Sequence, residues 1–172
     1  MPAYSFQERF VPCVQKGSKT QTIRTRRKKG FAKKGDRIYL YFGMRTKWCK
    51  KLGEGQCSDV KTIMITRDGV VQLYNERLSD TEIDGVINRL VFHAQPDQVL
   101  NQAEANAFAW ADGFRPDGST AEKPGGAYDL MIRWWKQTHS LPFIGDVIYW
   151  KLDGRDWQVE PDYHSPEVHN EP

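Results

Sequence analysis

The hydrophobic positions change period several times along the first half of the chain. In ERFVPCVQKG, Phe10, Val11 and Val14 recur at helical spacing, Pro12 fits only a first turn, and Gly17 supplies a stop, which predicts a short helix. TQTIR alternates like a strand, and KKGFAKKGD is a glycine-punctuated turn. RIYLYFGMR follows as a strand, with Ile38, Leu40 and Phe42 on one face and Tyr39, Tyr41 and Arg45 on the other. KTIMITRDGVVQLY reads as two strands around an Asp68-Gly69 hairpin turn.

Helical periods dominate the second half. SDTEIDGVINRL opens with a capping box of Ser79 and Glu82 and carries Ile83, Val86, Ile87 and Leu90 on one stripe. In NQAEANAFAWADG, Asn101 can cap a helix whose expected apolar face is Ala103, Ala107, Trp110 and Ala111. FRPDGSTAEKPGG has loop composition, and AYDLMIRWWKQTH predicts a third helix, apolar along Tyr128, Leu130, Met131, Trp134 and Trp135. DVIYWKL closes the pattern as a strand, and from about Arg155 the chain becomes a polar, proline-punctuated tail. Strands first, helices later and a closing strand predict a single α+β domain over residues 1–154, with 155–172 as a loosely ordered tail.

Composition narrows the class. A chain of 172 residues with 39% hydrophobic and 12% aromatic side chains suits one folded domain with a proper core. No apolar run approaches the roughly 18 residues of a membrane span, and the first residues lack a signal-peptide core, so a cytoplasmic protein is expected. Cys13, Cys49 and Cys57 are an odd, sparse set without C-x-x-C spacing, which favours free thiols over disulfides or structural zinc. Neither a P-loop nor a Rossmann glycine pattern nor a metal-hydrolase motif occurs, and no cofactor is expected.

Charge distribution changes the picture more than the net charge of +3 does. Residues 1–50 carry +12 and residues 51–172 carry −9, which suggests a polyanionic partner for the first third, unless the two segments neutralise each other in the fold. The basic block opens with an ordered motif, G-x-K-x-x-T-x-R, at Gly17, Lys19, Thr22 and Arg24. On an extended strand Thr20, Thr22 and Arg24 share a face while Ile23 points to the core. Lys19 must lie in a turn before the strand if it is to act with Thr22, and Gly17 permits that turn.

Two readings of the motif follow. Desolvation and the like charges of Arg24, Arg26 and Arg27 would lower the Lys19 pKa, and a neutral lysine could take the proton of Thr22 as nucleophile. Alternatively Lys19 and Arg24 hold a phosphate to which Thr22 donates a hydrogen bond. Arg26, Arg27, Lys28 and the lysines after them would contact phosphates, and Tyr39 and Tyr41 beside Arg45 are candidates for base stacking. Trp134 and Trp135 could stack bases, but their helical spacing favours the core, and His93 and His139 are expected as structural histidines.

At these residues the sequence resembles the ASCH domains of the PUA-like superfamily. The likeness rests on the G-x-K-x-x-T-x-R motif, the KKGD at Lys33 to Asp36, the strand IYLYFG, the ADGF at Ala111 to Phe114 and the strand DVIYW, and it covers about residues 4–152. It implies a small β-barrel with packed helices and a cleft lined by the motif. The implied partners are RNA or a modified nucleoside or nucleotide. Some such domains bind RNA; others are ribonucleases, or amidohydrolases that deacetylate N4-acetylcytidine through a Lys, a Thr and a Glu. Carried over, Lys19 is the base and Thr22 the nucleophile, and the third position falls near Asp112, an Asp in place of the Glu. Residues 45–60, 91–102 and 115–126 stand out as insertions against the compact amidohydrolases.

Overall fold

The computed structural model describes residues 1–88, 95–120 and 122–153. The expected tail at 155–172, His93 and Leu90 lie outside them. Seven strands form one curled sheet: β1 Ala3–Phe6, β2 Gln21–Thr25, β3 Arg37–Phe42, β4 Lys50–Ile65, β5 Val71–Tyr74, β6 Gln98–Val99 and β7 Phe143–Leu152. Among the described residues four helices accompany them: α1 Val11–Gln15 after a 3-10 turn at Glu8–Phe10, α2 Asp80–Asn88, α3 Gln102–Ala111 and α4 Ala127–Thr138. This is a mixed α+β domain built on a half-barrel.

The sheet curls because β4, at 16 residues, is too long to stay flat and has two successive partners on one edge. Its start pairs antiparallel with β3 from Lys50 to Gln56, its end pairs with β5 from Thr62 to Ile65, and β7 runs along the other edge from Gly55 to Ile65. An irregularity at Leu40/Tyr41 bends the β3–β4 ladder, and another between Cys57 and Asp59 falls where β4 leaves β3 and has yet to meet β5. The stretch 45–60, expected as an insertion, therefore supplies the first half of the central strand. Its glycines hide the strand from a periodicity reading, yet Gly55 is required there: a Cβ on it would stand 2.2 Å from the Lys151 carbonyl oxygen.

The expected elements form where local signals are strong. Gly69 closes the β4–β5 hairpin at φ +94. Ser79 and Glu82 cap α2 reciprocally (2.6 and 3.2 Å), as Asn101 and Glu104 cap α3 (3.0 and 2.9 Å). Ile38, Leu40, Ile63, Ile65, Met131 and Val147 are fully buried in one core between the sheet and α3 and α4. The face of α3 differs from expectation. Ala105, Phe108 and Ala109 are buried, while Ala103 and Ala107 are exposed, because the one large apolar side chain of that stripe, Phe108, decides which side docks. β1 was not foreseen; it pairs parallel with β3, buries Tyr4 and Phe6, and leaves Ser5 beside the site described next. Among the described residues no helix is long and apolar enough to cross a membrane.

Candidate functional site

A cavity of about 360 Å³ opens between β1, β2, the C-terminal end of α3 and the C-terminal end of α4. The chain reaches it through the turn after α1. Gly17 sits at φ +69 one residue past the helix cap and donates to the Val14 carbonyl (3.1 Å), ending the helix as its sequence position predicts. The Lys19 amide then donates back to Cys13 (3.0 Å), and the Thr20 amide donates to the Ala111 carbonyl at the end of α3 (3.1 Å). Arg115 clamps the same turn: its guanidinium lies 3.6 Å from the Trp110 ring centroid and donates to the Ser18 carbonyl at 2.9 Å. These contacts turn Lys19 inward, where it is 1% exposed.

Inside, the Lys19 Nζ meets Asp112 Oδ1 at 2.6 Å and also donates to the Asp112 backbone carbonyl. Asp112 caps the end of α3, so the ammonium closes a helix C-terminus where orphan carbonyls favour a cation. Gly113 makes room for this: at φ +92, a Cβ there would stand 2.9 Å from the Phe10 ring and 3.1 Å from the Lys19 chain. The ammonium lies 4.9 Å from the Phe10 ring centroid. Burial pushes the Lys19 pKa down and the Asp112 pKa up, and their mutual attraction opposes both shifts. Arg24 contributes to lowering Lys19, but burial comes first, and Arg26 and Arg27, expected to share that role, take no part.

Thr22 and Arg24 line the same cavity. Arg24 Nη2 donates to the Ser5 carbonyl (2.7 Å), and its guanidinium sits 5.0 Å from the Phe6 ring centroid. Part of the lining is aromatic: Phe10, Phe114 and Trp134 meet edge-on or tilted, with centroids 5.5 to 6.5 Å apart. Trp135 lies in the core as expected, 3% exposed, with Trp134 packed against it, and both also line the cavity. His139, expected to be structural, lines it too, 4.1 Å from the Trp135 ring centroid. Thr138 donates its hydroxyl proton to the Trp134 carbonyl (2.7 Å), so the 2.8 Å contact to His139 Nδ1 requires Nδ1 to be the donor. Neutral His139 thus keeps its lone pair on Nε2, and burial lowers its pKa.

The remaining candidates lie elsewhere. Thr20 is exposed and serves through its backbone, whose carbonyl accepts from Trp150 (3.0 Å). Arg26 turns away into a second network: it donates to Thr62 Oγ1 (3.2 Å) and pairs with Asp146 (3.5 Å), which also accepts from Arg77 (3.1 Å). Arg27 and Lys28 are exposed on the following loop, where Arg27 stands 5.4 Å from the Tyr4 ring. Tyr39 and Tyr41 are half-buried on β3 outside the cavity, and Arg45 belongs to the β3–β4 loop at φ +72, not to the strand face. The basic run is therefore not the cavity lining; only Lys19 and Arg24 enter it. Phe10, Phe114 and His139 were missed, and Trp134 was assigned to the core, because their spacing is that of ordinary core positions.

Among the described residues no cluster of His, Cys, Asp and Glu could hold a metal ion, and Cys13, Cys49 and Cys57 are free thiols. Comparison of the chain with family models, curated proteins and solved structures finds no match.

Proposed function

We propose that this chain is an ASCH-like, PUA-like domain that binds RNA or a nucleotide and receives one nucleobase in the cavity. The observation that carries the reading is that the buried Lys19–Asp112 pair, Thr22 and several aromatic rings line one cavity. A nucleobase has a flat π-face for such rings and a hydrogen-bonding edge for such a pair. The volume lies near the small end of the range of ligand pockets, about 300–1,000 Å³. Arg24 in the cavity lining offers a cation to a phosphate, and Arg27 and Lys28, a few residues on, are exposed to meet others. Free thiols and a cytoplasmic location agree with one another in this reading.

A second reading is hydrolysis of an N4-acylated cytidine-type nucleoside or of an RNA bond. The opposed shifts of Lys19 and Asp112 favour it, because a lysine drawn toward neutrality and a carboxyl drawn toward protonation make a base and an acid in contact. Lys19 would take the Thr22 proton as Thr22 Oγ1 attacks the acyl carbonyl, and the C–N bond would break as Asp112 protonates the leaving amine. Water, losing its proton to the Asp112 carboxylate, would then cleave the acyl-threonine ester, and Lys19 would return its proton to Thr22 Oγ1.

The test incubates wild type, Thr22→Ala and Trp134→Ala with short single-stranded RNAs and with N4-acetylcytidine, following both binding and product. The binding reading expects retention of RNA without product and about tenfold weaker binding by Trp134→Ala, the loss of one stacking contact. Product that disappears in Thr22→Ala establishes the second reading instead. Absence of both binding and product removes both.

A further inference from the structure

The β3–β4 loop presents a feature that the cavity does not use. Between Gly43 and Lys50 the sequence GMRTKWCK holds Arg45, Lys47 and Lys50 and no acidic residue. In its middle Trp48 is 66% exposed, more than any other described tryptophan. A large apolar ring held in water is unfavourable by the usual measure of buried area, and its position is built rather than slack. The Thr46 amide and hydroxyl both reach the Gly43 carbonyl (3.0 and 2.7 Å), the Trp48 amide donates to Thr46 Oγ1 (3.2 Å), and the Cys49 amide donates to the Thr46 carbonyl (3.2 Å). Arg45 holds φ +72, a region that non-glycine residues seldom occupy. The Lys47 ammonium stands 4.9 Å from the indole centroid, so a cation accompanies the ring.

The loop is also fixed to the cavity wall. The Met44 amide donates to Ser5 Oγ at 3.1 Å, and Ser5 lines the cavity and accepts from Arg24 through its carbonyl. From Met44 to Trp48 is four residues, at most about 14 Å of chain. A strand with one base in the cavity would therefore meet Trp48 within the roughly 4 to 16 nucleotides that single-strand sites occupy.

We propose that the Gly43–Lys50 loop is a second contact surface for single-stranded RNA, on which Trp48 stacks a base flanking the one in the cavity while Arg45, Lys47 and Lys50 meet its phosphates. This rests on the nucleobase reading of the cavity and deepens it: the ligand is a strand, not a free nucleoside. The positive charge of the loop and the absence of an acid within it select a polyanion. The exposed indole selects a polyanion with rings.

The experiment measures binding of a labelled single-stranded RNA decamer, and separately of cytidine monophosphate, to wild type, Trp48→Ala, Trp48→Phe and Lys47→Gln. Because Trp48 is mostly exposed, Trp48→Ala keeps the wild-type melting temperature, which is checked first. The expected result is about tenfold weaker RNA binding by Trp48→Ala, substantial rescue by Trp48→Phe, and unchanged binding of the monophosphate. For Lys47→Gln the slope of log affinity against log salt should fall by about 0.7, the single-strand value for one phosphate. Equal RNA binding by wild type and Trp48→Ala overturns the proposal while leaving the cavity reading intact. So does binding of the monophosphate without binding of the decamer. Failure to bind either ligand overturns both. Wild-type binding to vesicles with 30% anionic lipid that is lost in Trp48→Ala, with no RNA binding, overturns it in favour of a membrane surface.

Discussion

Lys19 is held by a single carboxylate in a place where neither group meets bulk water. A buried pair of this kind contributes little net stability, yet breaking it leaves a charge stranded. Lys19→Met is expected to destabilise the fold by about 3–5 kcal/mol, measured by urea unfolding at pH 7. The sign of its pH dependence follows from Asp112. Burial already raises that carboxyl above its ordinary 3.8, and losing Lys19 removes the largest opposing influence. A native state that binds a proton more tightly than the unfolded chain is favoured at low pH. The deficit of Lys19→Met relative to wild type should thus be smallest in acid and grow as pH rises through the folded pKa of Asp112. A deficit that does not change with pH would show that Asp112 is not the stranded group. The double variant Lys19→Met with Asp112→Asn should recover a large part of the loss.

Among the elements, β4 and β7 form the spine, and their close approach depends on a residue without a side chain. With the Lys151 carbonyl oxygen 2.2 Å and the Leu152 Cα 2.9 Å from where a Cβ would lie, Gly55→Ala forces backbone, not a flexible side chain, to move. The expected cost is about 3 kcal/mol, the upper end of ordinary overpacking. For a domain of this size that lowers the melting temperature by roughly 6–12 °C, measured by circular dichroism. Hydrogen exchange should quicken first at Lys151 and Leu152, where the ladder parts. An unchanged melting temperature would mean that β4 and β7 separate without cost at this point.

Viewed as a whole, the molecule neutralises part of its own charge asymmetry. Arg26 pairs with Asp146 and Asp80, Arg37 with Glu54 and Asp153, and Lys19 with Asp112, each joining the basic first third to the acidic remainder. Lys28, Lys29, Lys33 and Lys34 remain exposed on the loop after β2, Lys47 on the loop after β3, and Lys50 at the start of β4. Arg26 is thus part of the scaffold. Arg26→Met is expected to cost about 1–3 kcal/mol in urea unfolding, since Asp146 loses one of its cations and Thr62 a donor. The salt dependence of RNA binding should stay at the wild-type slope, measured between 50 and 200 mM salt. A slope reduced by about 0.7 would return Arg26 to the ligand surface.

What the sequence determined by itself is local. The capped helices at Asp80 and Gln102, the Asp68-Gly69 hairpin and the stop at Gly17 depend on contacts within a few residues, and their signals are complete in the stretch that carries them. Strand periodicity likewise put Ile23, Ile38 and Leu40 in the core. Tertiary structure alone decided the remainder. The cavity joins Lys19 and Asp112, which the motif and the family likeness singled out, to Phe6, Trp134 and His139, positions whose types also suit an ordinary core, and only the docking of α3 and α4 against the curled sheet aims them into one space. The same holds for Arg26, which looks like every other cation of its run until the fold brings Asp146 beside it. Local pattern specifies an element and its buried face, whereas a site is a coincidence of faces from distant elements, fixed by how their side chains fill the space between them.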